Sequence, residues 1–374
     1  MTALGNEVYI ITASSDNKGS DDPYILRVSI GLSFGGGFTT FIGRKIRSFI
    51  ELWLPFLALR CTRYWPLYRA AENCVKAKTF DVIIATGEPY ILFGLAKRLG
   101  KRYNVPWVAD YRDVWIRNPR ISEKPLWIQF LTKTLYRTAE RRWVASAACV
   151  LTACEYYKYL LRLTLPHPNI YAIYNGHDIT FDVVRDFSEQ DRPIIAYAGR
   201  LYPFQPIEKV VETLQELASE RYNFELNFLG LADWPEQVSR VSACSTGIRQ
   251  MVKFIPSKSY SAYIQELVNA DIFIVLSHPR RKALAAKVFD YLAFNKPILL
   301  YPADGGELET LVSNHSQGHI CSTPDELKSV FRKEFKALLS GKSNSLPLFS
   351  SKKEAYSRKK STLDLVNALS ECLP

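Results

Sequence analysis

The stretch Asp271–Gly306 reads DIFIVLSHPRRKALAAKVFDYLAFNKPILLYPADGG, and its pattern predicts a strand, a basic loop, a helix and a second strand. Asp271–Leu276 and Pro297–Leu300 are short apolar runs bounded by Pro, Asn and Gly, which is typical of buried parallel strands. Between them, apolar residues recur at helical spacing and predict the buried face of the helix: Ala286, Phe289, Leu292 and Ala293.

Two charged residues on this helix indicate a ligand. Lys287 and Asp290 are three residues apart, so they share one face near the end that the basic loop enters. A cation beside exposed backbone N–H groups suits a phosphate, and a carboxylate one turn further on suits sugar hydroxyls. The pair predicts a nucleotide pocket, although an ordinary crossover helix with solvated charges explains this segment equally well.

The composition sets the class of protein. A chain of 374 residues is long enough for two domains, and 47% apolar with 23% charged residues indicates a globular protein rather than a disordered one. The net charge of +11 favours an anionic partner: nucleotide phosphates, anionic lipid or nucleic acid. Nucleic acid is the weakest of the three, because the basic residues are scattered and form no known motif.

The cysteines and the apolar runs predict the compartment. The seven cysteines include no CxxC pair, which argues against a disulfide framework or a zinc site and indicates a reducing environment. The first residues show no charged n-region followed by an apolar h-region, so we expect no signal peptide. The longest apolar run, Leu52–Leu59, is too short to span a bilayer. We therefore expect a cytoplasmic protein, with peripheral association at the membrane left open.

Strands alternate with helices in both halves of the chain, which predicts two parallel-sheet domains. The expected boundaries are an N-terminal domain over residues 1–178, a linker over 179–192, a C-terminal domain over 193–352 and a final helix over 353–374. Outside the opening stretch, the expected strands are Val8–Thr12, Phe80–Ala85, Pro106–Asp110, Ala148–Thr152, Ile170–Ile173, Ile194–Ala198, Glu225–Leu229 and Val252–Ile255. The expected helices are Tyr90–Arg102, Leu126–Ala145, Ile207–Glu220, Tyr260–Asn269, Asp325–Leu339 and Lys352–Cys372.

Two further stretches carry functional hypotheses. Residues 38–69 are aromatic and basic with helical spacing, and they fit either a helix in an anionic membrane interface or a core-packing helix with a solvated face. Charged residues and a tryptophan follow the strand Pro106–Asp110, where open α/β sheets bind ligands: Asp110, Arg112, Asp113 and Trp115. A buried ion pair that closes this strand is the alternative.

Seven segments occur in an order that resembles a known family: FDVIIATGEPY (80–90), PWVADYRDVW (106–115), VLTACE (150–155), IYAIYNGHD (170–178), IIAYAGRLYP (194–203), ADIFIVL (270–276) and KVFDYLAFNKPILL (287–300). Together they resemble the retaining glycosyltransferases of family 4, which have the GT-B fold, and in particular bacterial members of polysaccharide or lipid-linked glycan assembly. The similarity runs from Val8 to the final helix. No single segment is specific, whereas seven segments in this order indicate the family.

The resemblance implies an α/β protein with two facing Rossmann-like domains, an interdomain cleft, and a last helix, Ala355–Cys372, that crosses back to the first domain. It implies a nucleotide-sugar donor, a glycan or lipid-linked acceptor, and catalysis without a cofactor or a metal; the sequence has no Asp-x-Asp motif. The implied donor residues are Gly199, Arg200, Leu201, Pro256, Lys287 and Asp290. The implied acceptor side comprises Glu88, Asp110, Arg112, Asp113 and Trp115, with Arg112, Asp113, Arg200 and Lys287 as catalytic groups.

The sequence departs from the family at three points. Lys282 stands where the family's Glu-x7-Glu motif has its first Glu, and Gln205 lies where a basic residue is usual. Relatives also have a further strand and a Gly-Gly loop before the segment that matches Leu4–Thr12, so the first βα unit is expected to be missing. These departures leave open a non-catalytic glycosyltransferase-like subunit that binds a partner or a membrane. A sugar-nucleotide epimerase is a weaker alternative, because no acid/base pair stands out in the second domain.

Overall fold

The computed structural model describes residues 1–14, 22–30, 59–115, 125–179, 192–279, 282, 284–340 and 348–373. The chain divides into two compact units. Unit 1 comprises Met1–Tyr174 together with Thr362–Pro374, and unit 2 comprises Asn175–Ser361. The C-terminal segment therefore packs with the first unit, although it follows the second in the sequence.

The described strands are β1 (Ile10–Ser14), β2 (Ile25–Ser29), β3 (Ile83–Gly87), β4 (Trp107–Tyr111), β5 (Cys149–Thr152), β6 (Ile170–Ala172), β7 (Ile194–Ala198), β8 (Glu225–Leu229), β9 (Val252–Ile255), β10 (Ile272–Leu276), β11 (Ile298–Tyr301) and β12 (Gly318–Ile320). The described α-helices are α1 (Trp65–Ala77), α2 (Ile91–Tyr103), α3 (Leu126–Val144), α4 (Glu155–Thr164), α5 (Ile207–Ser219), α6 (Pro235–Cys244), α7 (Tyr260–Asn269), α8 (Val288–Leu292), α9 (Glu307–Ser313), α10 (Pro324–Leu339) and α11 (Arg358–Cys372).

Unit 1 contains a four-stranded parallel sheet in the order β3-β4-β5-β6 and a separate parallel pair, β1-β2. Every residue of β4 and β5 is buried, which explains why both strands appear in the sequence as continuous apolar runs. Ala368 and Leu369 of α11 pack against the same sheet, on Val108, Cys149 and Leu151. The helix therefore closes one face of the unit 1 core.

Unit 2 contains a six-stranded parallel sheet in the order β12-β11-β10-β7-β8-β9. Strands β10, β11 and β12 follow one another outwards in one direction, and β7, β8 and β9 follow one another outwards in the other. The strand order therefore reverses between β7 and β10, and open α/β sheets bind their ligands outside the carboxyl ends of the strands at this switch point. The fold class predicted from the sequence is confirmed, with parallel sheets and packed helices in both units.

Several local predictions need correction. The first strand lies two residues later than predicted, at Ile10–Ser14, and the last helix begins at Arg358, after a 3₁₀ turn at Lys353–Tyr356. Ala286, which was assigned to the buried face of the helix after β10, is exposed, because that helix begins only at Val288. Phe289, Leu292 and Ala293 are buried as predicted. Six elements were not predicted from the sequence: β2, α1, α4, α6, α9 and β12.

Candidate functional site

The residues predicted to bind a nucleotide lie at one edge of the unit 2 sheet, beyond the carboxyl ends of its strands. Gly199, Arg200 and Leu201 follow β7, and Pro256 follows β9. Lys287 immediately precedes α8, and Asp290 lies within it, in the crossover that follows β10. Because β7 and β10 are neighbours at the switch point, the segments after these two strands flank the position where ligands bind in such sheets.

The turn after β7 is built around a glycine. Gly199 has φ of +82°, in the left-handed region that favours glycine, and its N–H donates to the carbonyl of Leu229 at 2.8 Å. A Cβ at this position would meet no atom within 4 Å, so the glycine serves backbone conformation and leaves open space beside it. Leu201 is buried, and its N–H donates to Gln237 Oε1 at 2.7 Å, which fixes the far side of the turn.

Gln205 holds this turn against the end of β10. Its Nε2 donates to the carbonyl of Leu276 at 2.8 Å, and its Oε1 accepts from the backbone N–H of Tyr202 at 2.9 Å. The hydroxyl of Tyr197 also lies 3.1 Å from the same oxygen. A neutral, buried amide satisfies three partners here, so the structure explains why this position has no exposed cation.

Arg200 is an exposed cation on an aromatic surface. Its guanidinium carbon lies 4.3 Å from the ring centroid of Trp234 and 5.7 Å from that of Tyr202. Within the described parts of the chain, no carboxylate forms an ion pair with this guanidinium. The stacking holds a planar group with five donors in one orientation, which suits an anionic ligand.

Lys287 is a second cation without an anionic partner. Its Nζ lies 3.3 Å from the ring centroid of Tyr197 in β7, and no hydrogen bond or ion pair of this ammonium occurs among the described residues. Lys287 is half-buried, and burial lowers the pKa of its ammonium well below the usual value of 10.5, because the charged form has lost part of its water. An incoming anion would stabilise the charged form and offset this desolvation.

The backbone around Lys287 differs from the prediction. Helix α8 has only five residues, and its first N–H groups, those of Val288 and Phe289, already donate to the carbonyls of Ala285 and Ala286. The expected exposed N–H groups beside the lysine are therefore used within the chain. The positive charge available here is that of the side chain and not that of a helix end.

Helix α8 is attached firmly to the central strands. The N–H of Ala198 at the end of β7 donates to the hydroxyl of Tyr291 at 2.8 Å, and the ring of Tyr291 stacks on Phe273 of β10 with centroids 4.5 Å apart. One tyrosine therefore joins both strands of the switch point to the helix. Its position fixes Lys287 relative to the turn that begins at Gly199.

Asp290 faces helix α7. The hydroxyl of Tyr260 donates to its Oδ1 at 3.0 Å, and that of Tyr263 donates to its Oδ2 at 3.2 Å. Burial raises the pKa of Asp290 to about 6, and the two tyrosine hydroxyls oppose this effect by stabilising the charged form. A carboxylate has about four acceptor positions, so roughly two remain for further donors after both tyrosines are bound.

The glycine pair at the end of the opening stretch is already occupied. Glu309 Oε2 accepts from the N–H groups of Asp304 and Gly305, at 2.9 and 2.7 Å, and Asp304 Oδ1 accepts from Gly306 N–H at 2.9 Å. Lys282, which stands where the family motif has a Glu, donates to the carbonyl of Gly305 at 3.2 Å. This lysine therefore supports the loop after β11, whose amide groups bind the chain's own carboxylates.

The predicted acceptor residues lie at the ends of β3 and β4 in unit 1. Asp110 is 7% exposed, and its Oδ2 accepts from Thr86 Oγ1 at 3.0 Å and from the guanidinium of Arg112 at 3.1 Å. Burial raises the pKa of Asp110, while Arg112 and Thr86 stabilise its charged form. This arrangement matches the ion-pair alternative, with Arg112 still half exposed.

The neighbouring residues differ in how far they reach solvent. Asp113 is exposed, with its carboxylate 3.2 Å from the hydroxyl of Tyr157, and Glu88 is exposed after β3. Trp115, by contrast, is 4% exposed and stacks between Tyr90 and Trp143 in the unit 1 core. The prediction that Trp115 faces an acceptor is therefore wrong for this structure, because its ring is consumed in packing.

Comparison with known families covers both units. The family model described as Glycosyltransferase Family 4 matches residues 1–181, and the one described as Glycosyl transferases group 1 matches residues 179–344. The two matches overlap only at residues 179–181 and together span most of the chain. This chain belongs to the family 4 glycosyltransferases.

Two solved structures share the fold of this chain. A glycosyltransferase from Rickettsia africae has a TM-score of 0.57 and 13% identity, and the alignment covers 90% of this chain and 82% of that one. Alr3699/HepE from Anabaena, in complex with UDP and glucose, has a TM-score of 0.60 and 12% identity, with 97% and 100% coverage. At these identities the likeness establishes the fold alone. No curated protein matches the chain.

The structure adds two residues that the sequence analysis of this glycosyltransferase did not single out. Trp234, after β8, and Tyr202, after Leu201, are 40% and 45% exposed and flank the guanidinium of Arg200. The signal available in the sequence was an aromatic residue in a loop that follows a strand, close to a glycine at the strand end. Spacing alone does not reveal them, because they come from loops after different strands.

Three other predictions concern the surface and the cofactors. Most of the segment 38–69 lies outside the described residues, so its membrane role stays a prediction. Among the helices that the structure describes, none combines the length and the apolar character needed to cross a membrane. The described residues also include no cluster of three or more His, Cys, Asp or Glu side chains suited to hold a metal ion.

Proposed function

We propose that this glycosyltransferase moves a sugar from a nucleoside-diphosphate sugar to a hydroxyl group of a glycan or lipid-linked acceptor, with retention of the anomeric configuration. The observation that carries the proposal is Lys287, an ammonium at the switch point of unit 2 that has no anionic partner among the described residues. A positive charge at this position suits the negative charge of a diphosphate. Similar folds solved with UDP, and with UDP and glucose, support a uridine nucleotide.

The proposed mechanism depends on charge that develops as the donor breaks. When the bond between the anomeric carbon and the diphosphate oxygen lengthens, negative charge accumulates on the leaving group. Lys287 and Arg200 would stabilise that charge, as positioned cations do in other sites where charge develops. The desolvation of Lys287 strengthens its interaction with an anion, because less water screens the pair. In this proposal the chain's own cations, without a metal or cofactor, perform the stabilisation.

The donor is proposed to be oriented by the carboxylate of Asp290 and by the turn after β7. Asp290 retains roughly two acceptor positions for ribose hydroxyls after it has bound Tyr260 and Tyr263. Gly199, with open space beside its Cα, allows the backbone to approach the ligand closely. Leu201 and Pro256 would line the remainder of the donor site.

The acceptor is proposed to bind unit 1 near Glu88, Asp110, Arg112 and Asp113. Of these, Arg112 and Asp113 are the proposed catalytic groups, since both are exposed at the end of β4. No residue is assigned as a general base. A further similar fold is that of the lipopolysaccharide outer core galactosyltransferase WaaB, with a TM-score of 0.52 and 13% identity, and this likeness supports a glycan acceptor on a lipid.

Turnover assays of the purified chain with uridine, guanosine and adenosine diphosphate sugars test the proposal. We expect release of one nucleoside diphosphate, and a loss of at least about tenfold in kcat/KM for Arg200→Ala, because the cation acts on the transition state. Arg249→Ala is the control, since Arg249 is an exposed arginine after α6. Nucleotide binding without turnover would favour the non-catalytic alternative, and unchanged turnover in Arg200→Ala would contradict the assigned role.

A further inference from the structure

The first half of α3 exposes an unusual number of apolar side chains. Leu126, Trp127 and Phe130 are 83%, 66% and 71% exposed, and Leu131 is 43% exposed. Residues i, i+1, i+4 and i+5 form two adjacent rows on a helix, so the four side chains make one continuous face. Neither aromatic ring stacks on another ring in the described part of the chain. Single exposed apolar residues are ordinary, whereas a contiguous patch indicates a binding surface.

The second half of the same helix presents only positive charge on that side. Arg137, Arg141 and Arg142 are exposed, and the single acidic residue of α3, Glu140, is buried with its carboxylate 3.0 Å from the hydroxyl of Tyr111. Arg137 and Arg142 form no ion pair among the described residues. Arg141 donates to the carbonyl of Thr164 at 2.9 Å, which leaves its charge uncompensated.

The spacing of the two halves fits a lipid interface. Phe130 and Arg137 are seven residues apart, which is about 10 Å along a helix. An amphipathic helix that lies in a membrane interface buries its apolar face by roughly 5–10 Å and keeps its cations at the level of the phosphates. A tilted α3 could place Trp127 and Phe130 among the acyl chains while Arg137 and Arg142 remain among the headgroups.

We propose that this face of α3, comprising Leu126, Trp127, Phe130, Leu131, Arg137, Arg141 and Arg142, docks unit 1 on an anionic lipid surface. The charge distribution favours lipid over a second copy of the chain. In a symmetric dimer the same patch faces itself, so the arginines meet either arginines or the apolar half of the partner's α3, and the exposed face offers no carboxylate to compensate them. Anionic headgroups supply the missing negative charge, and the net charge of +11 adds long-range attraction. The face shares no residue with the proposed donor site or with the segment 38–69.

Vesicle flotation with the purified full chain tests this proposal. We expect the protein to float with phosphatidylcholine vesicles that contain about one third phosphatidylglycerol, and to float little with pure phosphatidylcholine or at high salt. Trp127→Ser/Phe130→Ser and Arg137→Gln/Arg142→Gln should each weaken partitioning by about tenfold or more, because one removes the apolar anchor and the other removes two cations.

Matched substitutions elsewhere serve as controls. Leu339→Ser removes an exposed leucine of α10, and Arg249→Gln/Lys359→Gln removes two exposed cations of unit 2; both should float like the unaltered chain. Circular dichroism and turnover with a water-soluble acceptor should be unchanged in all four variants, which separates this test from that of the proposed activity. Failure of the unaltered chain to float, or equal flotation of the α3 variants, would overturn the proposal. Self-association that the α3 substitutions abolish, in a chain that does not float, would assign the face to a second copy instead and also overturn it.

Discussion

Among single residues, Lys287 is held in a position that opposes stability. Lys287 places its ammonium against the ring of Tyr197 without a carboxylate among the described residues, and burial lowers its pKa well below 10.5. A group held this way costs folding free energy whenever the unfolded chain would carry the proton. Such a cost is retained where it serves a ligand, since an anion that binds at this position offsets it.

We expect Lys287→Met to stabilise the protein by about 1 kcal/mol at neutral pH, because methionine keeps the aliphatic contact with Tyr197 and removes the desolvated charge. The gain should shrink as the pH rises towards 10.5, since the unfolded lysine then also loses its proton. Chemical denaturation at several pH values, from about 7 upwards, measures it. A variant less stable than the unaltered chain at neutral pH would show that the ammonium stabilises the fold.

Asp290 should make donor binding depend on pH. Its carboxyl has a pKa of about 6, and only the ionised form offers all its acceptor positions to ribose hydroxyls. We therefore expect the KM for the donor to rise as the pH falls through about 6, and Asp290→Asn to bind weakly without this inflection. A KM of the unaltered chain that stays constant across the titration of this carboxyl would contradict the ribose role.

The raised pKa of Asp290 also makes the stability of the folded protein depend on pH. Because the pKa of Asp290 in the folded protein lies above the usual value of 3.8, the folded state binds more protons between these two values. The contribution of this carboxyl to stability therefore falls as the pH rises from 3.8 to about 6. We expect the stability of Asp290→Asn not to show this decline over the same pH range.

Residue assignments could be predicted from sequence only in part. The position of Lys287 in the crossover after β10 was predictable, because strand ends are visible as apolar runs that stop, whereas Gly199 was singled out through the family resemblance. The ligand roles of both residues stay predictions. Trp115 was misplaced, because a tryptophan shortly after a strand can turn towards solvent or into the core, and only the packing of Tyr90 and Trp143 decides this. Trp234 was missed because its contact with Arg200 joins residues far apart in the chain.

At the scale of elements, the most accurate predictions from the sequence were those of the most deeply buried strands. Apart from the edge strand β12, the strands of the two larger sheets were located closely, since the central ones are short apolar runs in which every residue is covered. Helix α4 was missed because only Leu161 is buried, while apolar residues such as Tyr159 and Leu163 are exposed and obscure the helical period. Helix α6 likewise buries only Val241, and β2 has just five residues with three of them exposed.

Helix α11 should be a stabilising part of unit 1. Leu369→Ala is expected to cost roughly 2–4 kcal/mol, because it opens a cavity where Leu369 packs on Val108, Cys149 and Leu151. Leu363→Ala, in the same helix, should cost much less, since Leu363 is 38% exposed. Hydrogen exchange of peptides from β4 and β5 measures the effect. Equal protection of these strands in both variants would contradict the role assigned to the helix.

At the scale of the whole molecule, the two parallel-sheet units have separate cores, and they are proposed to bind different substrates. The unpaired cation and the proposed ribose carboxylate lie in unit 2, so a nucleotide should stabilise that unit by an amount set by the ratio of ligand concentration to Kd. The ion pair and the exposed Asp113 at the end of β4 lie in unit 1, which is the proposed acceptor side. The basic and apolar face of α3 belongs to unit 1 as well.

The central claim is that a nucleoside diphosphate binds at the switch point of unit 2 through Lys287. Isothermal titration calorimetry with uridine, guanosine and adenosine diphosphates tests it on the unaltered chain, on Lys287→Met and on the control Lys336→Met, which removes an exposed lysine of α10. The account predicts binding of at least one nucleotide, affinity lowered by about tenfold or more in Lys287→Met through loss of a charge-assisted contact, and unchanged affinity in the control. Equal affinity of Lys287→Met and the unaltered chain, or no binding of any of the three nucleotides, would contradict it.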